Sequence, residues 1–143
     1  MVSVQREFRK LRNSFLNLTL YTGERFEKGG AEMGTEYEVQ KRTLVIRVGG
    51  DLDHHVAEQI REQADRLIDQ RGILHVIFDF SRSGFMDSSG IGVIMGRYRK
   101  VCYAGGRVSV TGVTGRMDKV FRMSGLERIV RRYDRLEDVI ERG

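Results

Sequence analysis

Phe85-Met86-Asp87-Ser88-Ser89-Gly90-Ile91-Gly92-Val93-Ile94-Met95-Gly96-Arg97-Tyr98 reads as the exit from a buried strand into the first turns of a helix. Asp, Ser and Ser just before an apolar-periodic run are the residue types that cap a helix N-terminus, because their side-chain oxygens accept from backbone N–H groups with no intrahelical partner. Ser88 is the expected cap, with Ser89 inside the first turn. At 3.6 residues per turn, Ile91, Ile94, Met95, Tyr98, Val101 and Cys102 share one face, which is assigned to the core. The opposite face carries Ser89, Gly92, Val93, Gly96 and Lys100, with Ser88 at its rim. Each glycine in a helix interior costs ~1 kcal/mol relative to Ala. Two of them on a water-facing side, Gly92 and Gly96, therefore point to a surface that something approaches closely. The competing reading places them beneath a loop of the same chain, or without a role.

Upstream of this stretch, Ile73-Leu74-His75-Val76-Ile77-Phe78-Asp79-Phe80 is a nearly continuous apolar run. That is the signature of a strand covered on both faces, and it predicts the centre of the sheet. Before it, Tyr37 and Val39 alternate with polar residues, Lys41-Arg42 suits a short turn, and Leu44-Val45-Ile46-Arg47-Val48 is a strand, so residues 36–48 predict a hairpin. Asp53 is a good N-cap for a helix with Val56, Ala57, Ile60, Ala64, Leu67 and Ile68 on one face, ended by Gly72. Downstream, Gly105-Gly106 breaks the chain and residues 107–113 alternate as a strand. A helix with Met117, Val120 and Phe121 follows, then Gly125, a short strand near Ile129-Val130, and a last helix with Leu136, Val139 and Ile140. A hairpin followed by alternating helices and strands predicts an α/β fold, a small mixed sheet with helices packed on it.

The chain has 143 residues, enough for one domain with a real core and too few to expect two. No apolar run has the length of a bilayer-spanning helix, and the N-terminus carries neither an apolar h-region nor a small-residue cleavage site. The single cysteine, placed on the buried helix face, fits a reducing compartment, so a cytoplasmic location is expected. The net charge of +5 is diluted among 20 carboxylates. The densest basic cluster, Arg128, Arg131, Arg132 and Arg135, holds a single aromatic, Tyr133, and not the series of aromatics of a base-stacking platform, so no direct nucleic-acid role is expected. Residues 1–32 stand apart from the rest. Phe8, Leu11, Phe15 and Leu18 have helical spacing, but Glu27-Lys28-Gly29-Gly30-Ala31-Glu32-Met33 resembles neither a helix end nor a strand start. Lys-Gly-Gly can be encoded by bases containing a purine-rich ribosome-binding sequence, with Met33 at about the usual gap. The domain is therefore expected over residues 33–143, with residues 1–32 an extension that is either upstream sequence read as protein or an amphipathic arm.

Catalysis finds little support. The G-x-S-x-G elbow fails, because Met86 lies two residues before Ser88 and Asp87 two before Ser89. His54 and His55 are adjacent at a helix start and do not share a face, and His75 lies in a strand. One cysteine and three dispersed histidines match no metal-ligand spacing, and no phosphate-binding glycine loop is present. Ser88 makes better sense as the substrate of another enzyme. A phosphate adds about −1.5 to −2 charge at pH 7, and at a helix N-terminus its oxygens meet unpaired N–H groups and the positive end of the helix dipole. Asp87 opposes it by like-charge repulsion, so the modification acts mainly on a partner approaching the same surface.

Leu52-Asp53-His54-His55, the Phe85–Gly92 stretch and Met123-Ser124-Gly125-Leu126, in register over about residues 33–143, resemble the anti-sigma factor antagonists of the STAS domain family. The resemblance implies a single STAS domain that is not an enzyme and needs no cofactor. It implies partner switching: the unphosphorylated antagonist binds an anti-sigma factor that is also a serine kinase and so frees a sporulation sigma factor. The kinase phosphorylates the antagonist with ATP, and a serine phosphatase resets it. The family's phosphorylated serine falls on Ser88 and its preceding aspartate on Asp87. The partner surface is expected to comprise Asp53, Asp87, Ser88, Ser89, Gly92 and Gly96. The alternative is a STAS module that senses a small ligand or serves as a scaffold in a signalling assembly.

Overall fold

The central apolar run supplies β4 (His75–Asp79), and its alternate side chains go to opposite faces of a sheet that is covered on both. The computed structural model describes residues 24–27 and 34–142. The sheet has six strands in sequential order, namely β1 (Glu24–Glu27), β2 (Glu36–Gln40), β3 (Thr43–Arg47), β4, β5 (Arg107–Thr111) and β6 (Arg131–Tyr133). β2 runs antiparallel to both its neighbours, β1 and β3, and β3 to β6 run parallel. The expected hairpin is present, turning at Lys41 and Arg42 with Lys41 at φ 54°, as a two-residue connection between twisted strands requires. β1 lies in the stretch that sequence reading set apart, and it pairs with β2 from Glu24 opposite Val39 to Glu27 opposite Glu36. The amphipathic spacing at Phe8 to Leu18, the start at Met33 and the Ile140 side chain lie outside the described residues.

Parallel neighbours need crossovers, and α1 (His54–Arg71), α2 (Ser88–Tyr103) and α3 (Arg116–Ser124) provide them. A right-handed sense for all three puts them on the same face. There Leu44, Ile46, Val76, Phe78, Val108 and Val110 of the sheet join Ile60, Ile94, Met117 and Phe121 of the helices in one core. The last helix, α4 (Leu136–Arg142), goes to the other face, where Val139 packs with Val45 and Ile77. The short strand expected near Ile129-Val130 begins later, at Arg131, because Leu126–Arg128 form a 3₁₀ turn and Val130 is buried below it.

α1 carries its expected cap and stop: the Asp53 carboxylate accepts from Val56 N–H, and Gly72 closes the helix at φ 61°. α2 departs from expectation. Its buried residues are Gly90, Val93, Ile94, Arg97 and Val101, whereas Ile91, Met95 and Tyr98 are half-buried and Cys102 is exposed. Val93 therefore moves from the water face to the core and Cys102 from the core to the surface. The reason is Arg97. Its Nε lies 2.9 Å from Asp65 Oδ1 of α1, and one turn on Lys100 Nζ lies 3.0 Å from Asp69 Oδ1. These cross-helix ion pairs turn a charged side of the wheel into the α1 interface, and hydropathy alone counts such residues as outward.

Candidate functional site

Two strand-to-helix connections, residues 48–53 after β3 and 80–87 after β4, lie side by side because β3 and β4 are parallel neighbours. They are stitched together by a parallel bridge between Leu52 and Met86, with Leu52 N donating to Phe85 O at 3.0 Å and Asp87 N to Leu52 O at 3.3 Å. Ser83 Oγ donates to Gly50 O at 2.6 Å, and Gly84 N donates to Asp51 Oδ1 at 3.1 Å. The starts of α1 and α2 are thereby held on a common rim.

Asp87, not Ser88, caps α2. Its Oδ1 accepts from Ser89 N at 2.8 Å and from Gly90 N at 3.4 Å. A carboxylate has two acceptor oxygens and suits the positive helix end better than a hydroxyl, so the cap moves one residue upstream. Ser88 becomes the first helical residue, exposed, and its hydroxyl has no partner among the described residues. Ser89 is half-buried, and its Oγ lies 3.3 Å from Nδ1 of His54, the first residue of α1. Gly90 is buried where a Cβ would come within 3.0 Å of Leu52 and Met86, so its missing side chain lets the stitched loops close on the helix. Gly92 is exposed and Gly96 half-buried, and among the described residues a Cβ at either would meet no atom within 4 Å. No loop of the described chain covers them.

Of the expected partner residues, Asp53, Asp87, Ser88 and Ser89 share the rim, and Gly92 and Gly96 follow along α2. α3 begins near the same rim, with the Arg116 guanidinium 5.9 Å from the centre of the half-exposed Phe85 ring. Met123-Ser124-Gly125-Leu126 is at the other end of α3 and closes it: Ser124 Oγ donates to Phe121 O at 2.6 Å and accepts from Leu126 N at 3.2 Å. An open depression of ≈ 340 Å³ lined by Tyr98, Arg99, Cys102 and Tyr103 lies at the C-terminal end of α2, away from the rim. Among the described residues no cluster of His, Cys, Asp and Glu could hold a metal ion, and no helix is long and apolar enough to cross a membrane. The His54 contact and the Arg97–Asp65 pair escaped sequence reading. Two helix starts that follow adjacent parallel strands were the signal available for the first.

A family model described as the STAS domain matches residues 35–139. The chain belongs to the STAS domain family. Within it, this STAS domain is 38% identical over 99 residues to the anti-sigma F factor antagonist of Paenibacillus polymyxa, covering 69% of this chain and 85% of the relative. It is 41% identical over 88 residues to the protein of the same name from Lysinibacillus sphaericus, covering 62% and 75%. Among solved structures, the anti-sigma factor antagonist SpoIIAA in its unphosphorylated form matches with 36% identity and a TM-score of 0.62, over 74% of this chain and 93% of that one. The Bacillus cell fate determinant SpoIIAA in its phosphorylated form matches with 38% identity and the same TM-score, 0.62, over 76% and 98%. The STAS domain described here is of this anti-sigma factor antagonist type.

Proposed function

We propose that the unphosphorylated chain binds an anti-sigma factor that is also a serine kinase, freeing a sporulation sigma factor, and that phosphorylation at Ser88 switches it off until a serine phosphatase resets it. The observation that carries this reading is the placement of Ser88, exposed, without a partner among the described residues, and one residue inside a helix whose capping aspartate is next to it. In the transfer, Ser88 Oγ forms a bond to the γ-phosphorus of ATP while the bond from that phosphorus to the β–γ bridging oxygen breaks. The hydroxyl proton passes to a base of the kinase, and ADP leaves. The product is a dianion one residue from Asp87, tolerated by the dipole and N–H groups of α2 but repelling a partner whose contact was fitted to a neutral hydroxyl. Asp53, Asp87, Ser89, Gly92 and Gly96 complete the surface in this proposal, the glycines allowing close backbone approach.

The test is incubation with an anti-sigma serine kinase and ATP, read by intact mass. One phosphoryl group is expected on the wild type and none on Ser88→Ala, which keeps its affinity for the kinase, whereas Ser88→Asp loses affinity. Phosphorylation of the Ala variant at the wild-type rate overturns the assignment to Ser88.

A further inference from the structure

Two serines are adjacent at the start of α2, and each carries a hydroxyl chemically able to receive a phosphoryl group. They are not equivalent. Among the described residues Ser88 is exposed without a partner, whereas the half-buried Ser89 has its Oγ against His54 Nδ1 at 3.3 Å. We propose that His54, held at the first turn of α1 by the stitched loops, determines which serine is modified by covering the Ser89 hydroxyl and leaving Ser88 as the sole acceptor. This rests on the function proposed above.

His54 is well placed for the task. Its helix start is fixed by the Asp53 cap, with Val56 N to Asp53 Oδ1 at 2.9 Å, and the neighbouring loop is tied down by the Leu52–Met86 bridge. The ring thus reaches across from α1 while the Ser89 backbone N–H is held by Asp87 from within α2. A phosphoryl acceptor must bring its oxygen in line with the γ-phosphorus and near the kinase's base. A hydroxyl engaged with a neighbouring ring nitrogen at 3.3 Å must first give up that contact to do either. A histidine beside a serine can also activate a nucleophile, but that chemistry needs a third group to orient the ring. Among the described residues no carboxylate hydrogen-bonds the His54 ring. His54 is therefore a positioning residue.

The experiment compares wild type, Ser88→Ala, the Ser88→Ala/His54→Ala double variant and the Ser88→Ala/His54→Gln double variant, each with kinase and ATP. Modified positions are located by peptide mass spectrometry. Phosphate is expected at Ser88 alone in the wild type, nowhere in Ser88→Ala, and at Ser89 in the double variant with alanine. Gln, which can restore a hydrogen bond to Ser89, is expected to suppress that Ser89 modification again. Thermal melts identify any variant that has lost its fold. Two results overturn the proposal: Ser89 phosphate in Ser88→Ala with His54 intact, or no phosphate on a folded alanine double variant under conditions that fully modify the wild type. A wild type that accepts no phosphate refutes the proposed function instead. The contact then stands or falls by the ¹⁵N shift of the His54 ring, which should move on Ser89→Ala and whose invariance overturns the pairing.

Discussion

His75 shows how far burial can act on one residue. On β4 it is 7% exposed, its Nε2 lies 2.9 Å from Ser109 Oγ, and burial, helped by the positive charge of Arg107, drives its pKa down to about 3. An unfolded histidine titrates near 6.5, so between pH ~6.5 and about 3 the unfolded chain binds the extra proton. Stability is fully present above that window and falls as the pH drops through it, by up to ~1.4 kcal/mol per unit. His75→Gln should flatten this acid slope in urea melts taken between pH 7 and 4, and an unchanged slope would refute the assignment. At the rim, the transfer of the cap from Ser88 to Asp87 changes which substitution matters. Asp87→Ala should cost ~1 kcal/mol and Ser88→Ala well under that, a ranking that chemical denaturation measures directly. Sequence could place the cap in the Asp-Ser-Ser triplet but not within it, because all three positions hold good capping residues and only the loop geometry chooses.

At the scale of the element, α2 was legible in extent and only partly in orientation. Its boundaries follow from the cap and from Gly105-Gly106, but its rotation is set by Arg97 meeting Asp65, a contact between helices that no hydropathy period encodes. Burial pushes the Arg97 pKa down, the half-buried Asp65 counteracts it, and the charge of Arg61 adds to the lowering. Asp65→Ala should therefore cost roughly 2–3 kcal/mol by stranding the guanidinium, and the Asp65→Ala/Arg97→Met double variant should recover much of it. Equal loss in single and double variants, measured by equilibrium unfolding, would count against this account. The glycines divide on the same helix. Gly92→Ala should raise stability by ~1 kcal/mol, because the added Cβ meets nothing within 4 Å. Gly90→Ala should lower it, since Leu52 and Met86 stand at 3.0 Å. Gly96→Gln should melt no lower than the wild type yet bind the anti-sigma kinase more weakly, and a lower melt would exclude close partner approach as the reason for that glycine.

The described residues form a sheet with three crossover helices on one face and α4 on the other, and the first part of that was readable from the alternation of apolar runs. The placement of α4 was not. Among the described residues the buried members of the second core are Val45, Ile77 and Val139, with Tyr133 and Leu136 packed against them, and a strand flanked by helices on both sides of the sequence gives no sign of which face a terminal helix will choose. The edge strand β1 was equally hidden, in residues whose composition suggested a separate extension. A chain begun at Met33, the start proposed here, should fold cooperatively and bind the kinase as the full chain does, since the family match begins at residue 35 and, among the described strands, β1 pairs with β2 alone. Recovery of peptides from residues 1–32 in protein from its natural source would overturn that start. The stitching of Leu52 to Met86 bears on time as well as on shape. A rim tied by backbone hydrogen bonds resists local rearrangement, so under the proposed function its state is carried by a phosphate ester. The persistence of the signal is then the lifetime of that ester. It is a covalent memory, written once per ATP and erased by hydrolysis.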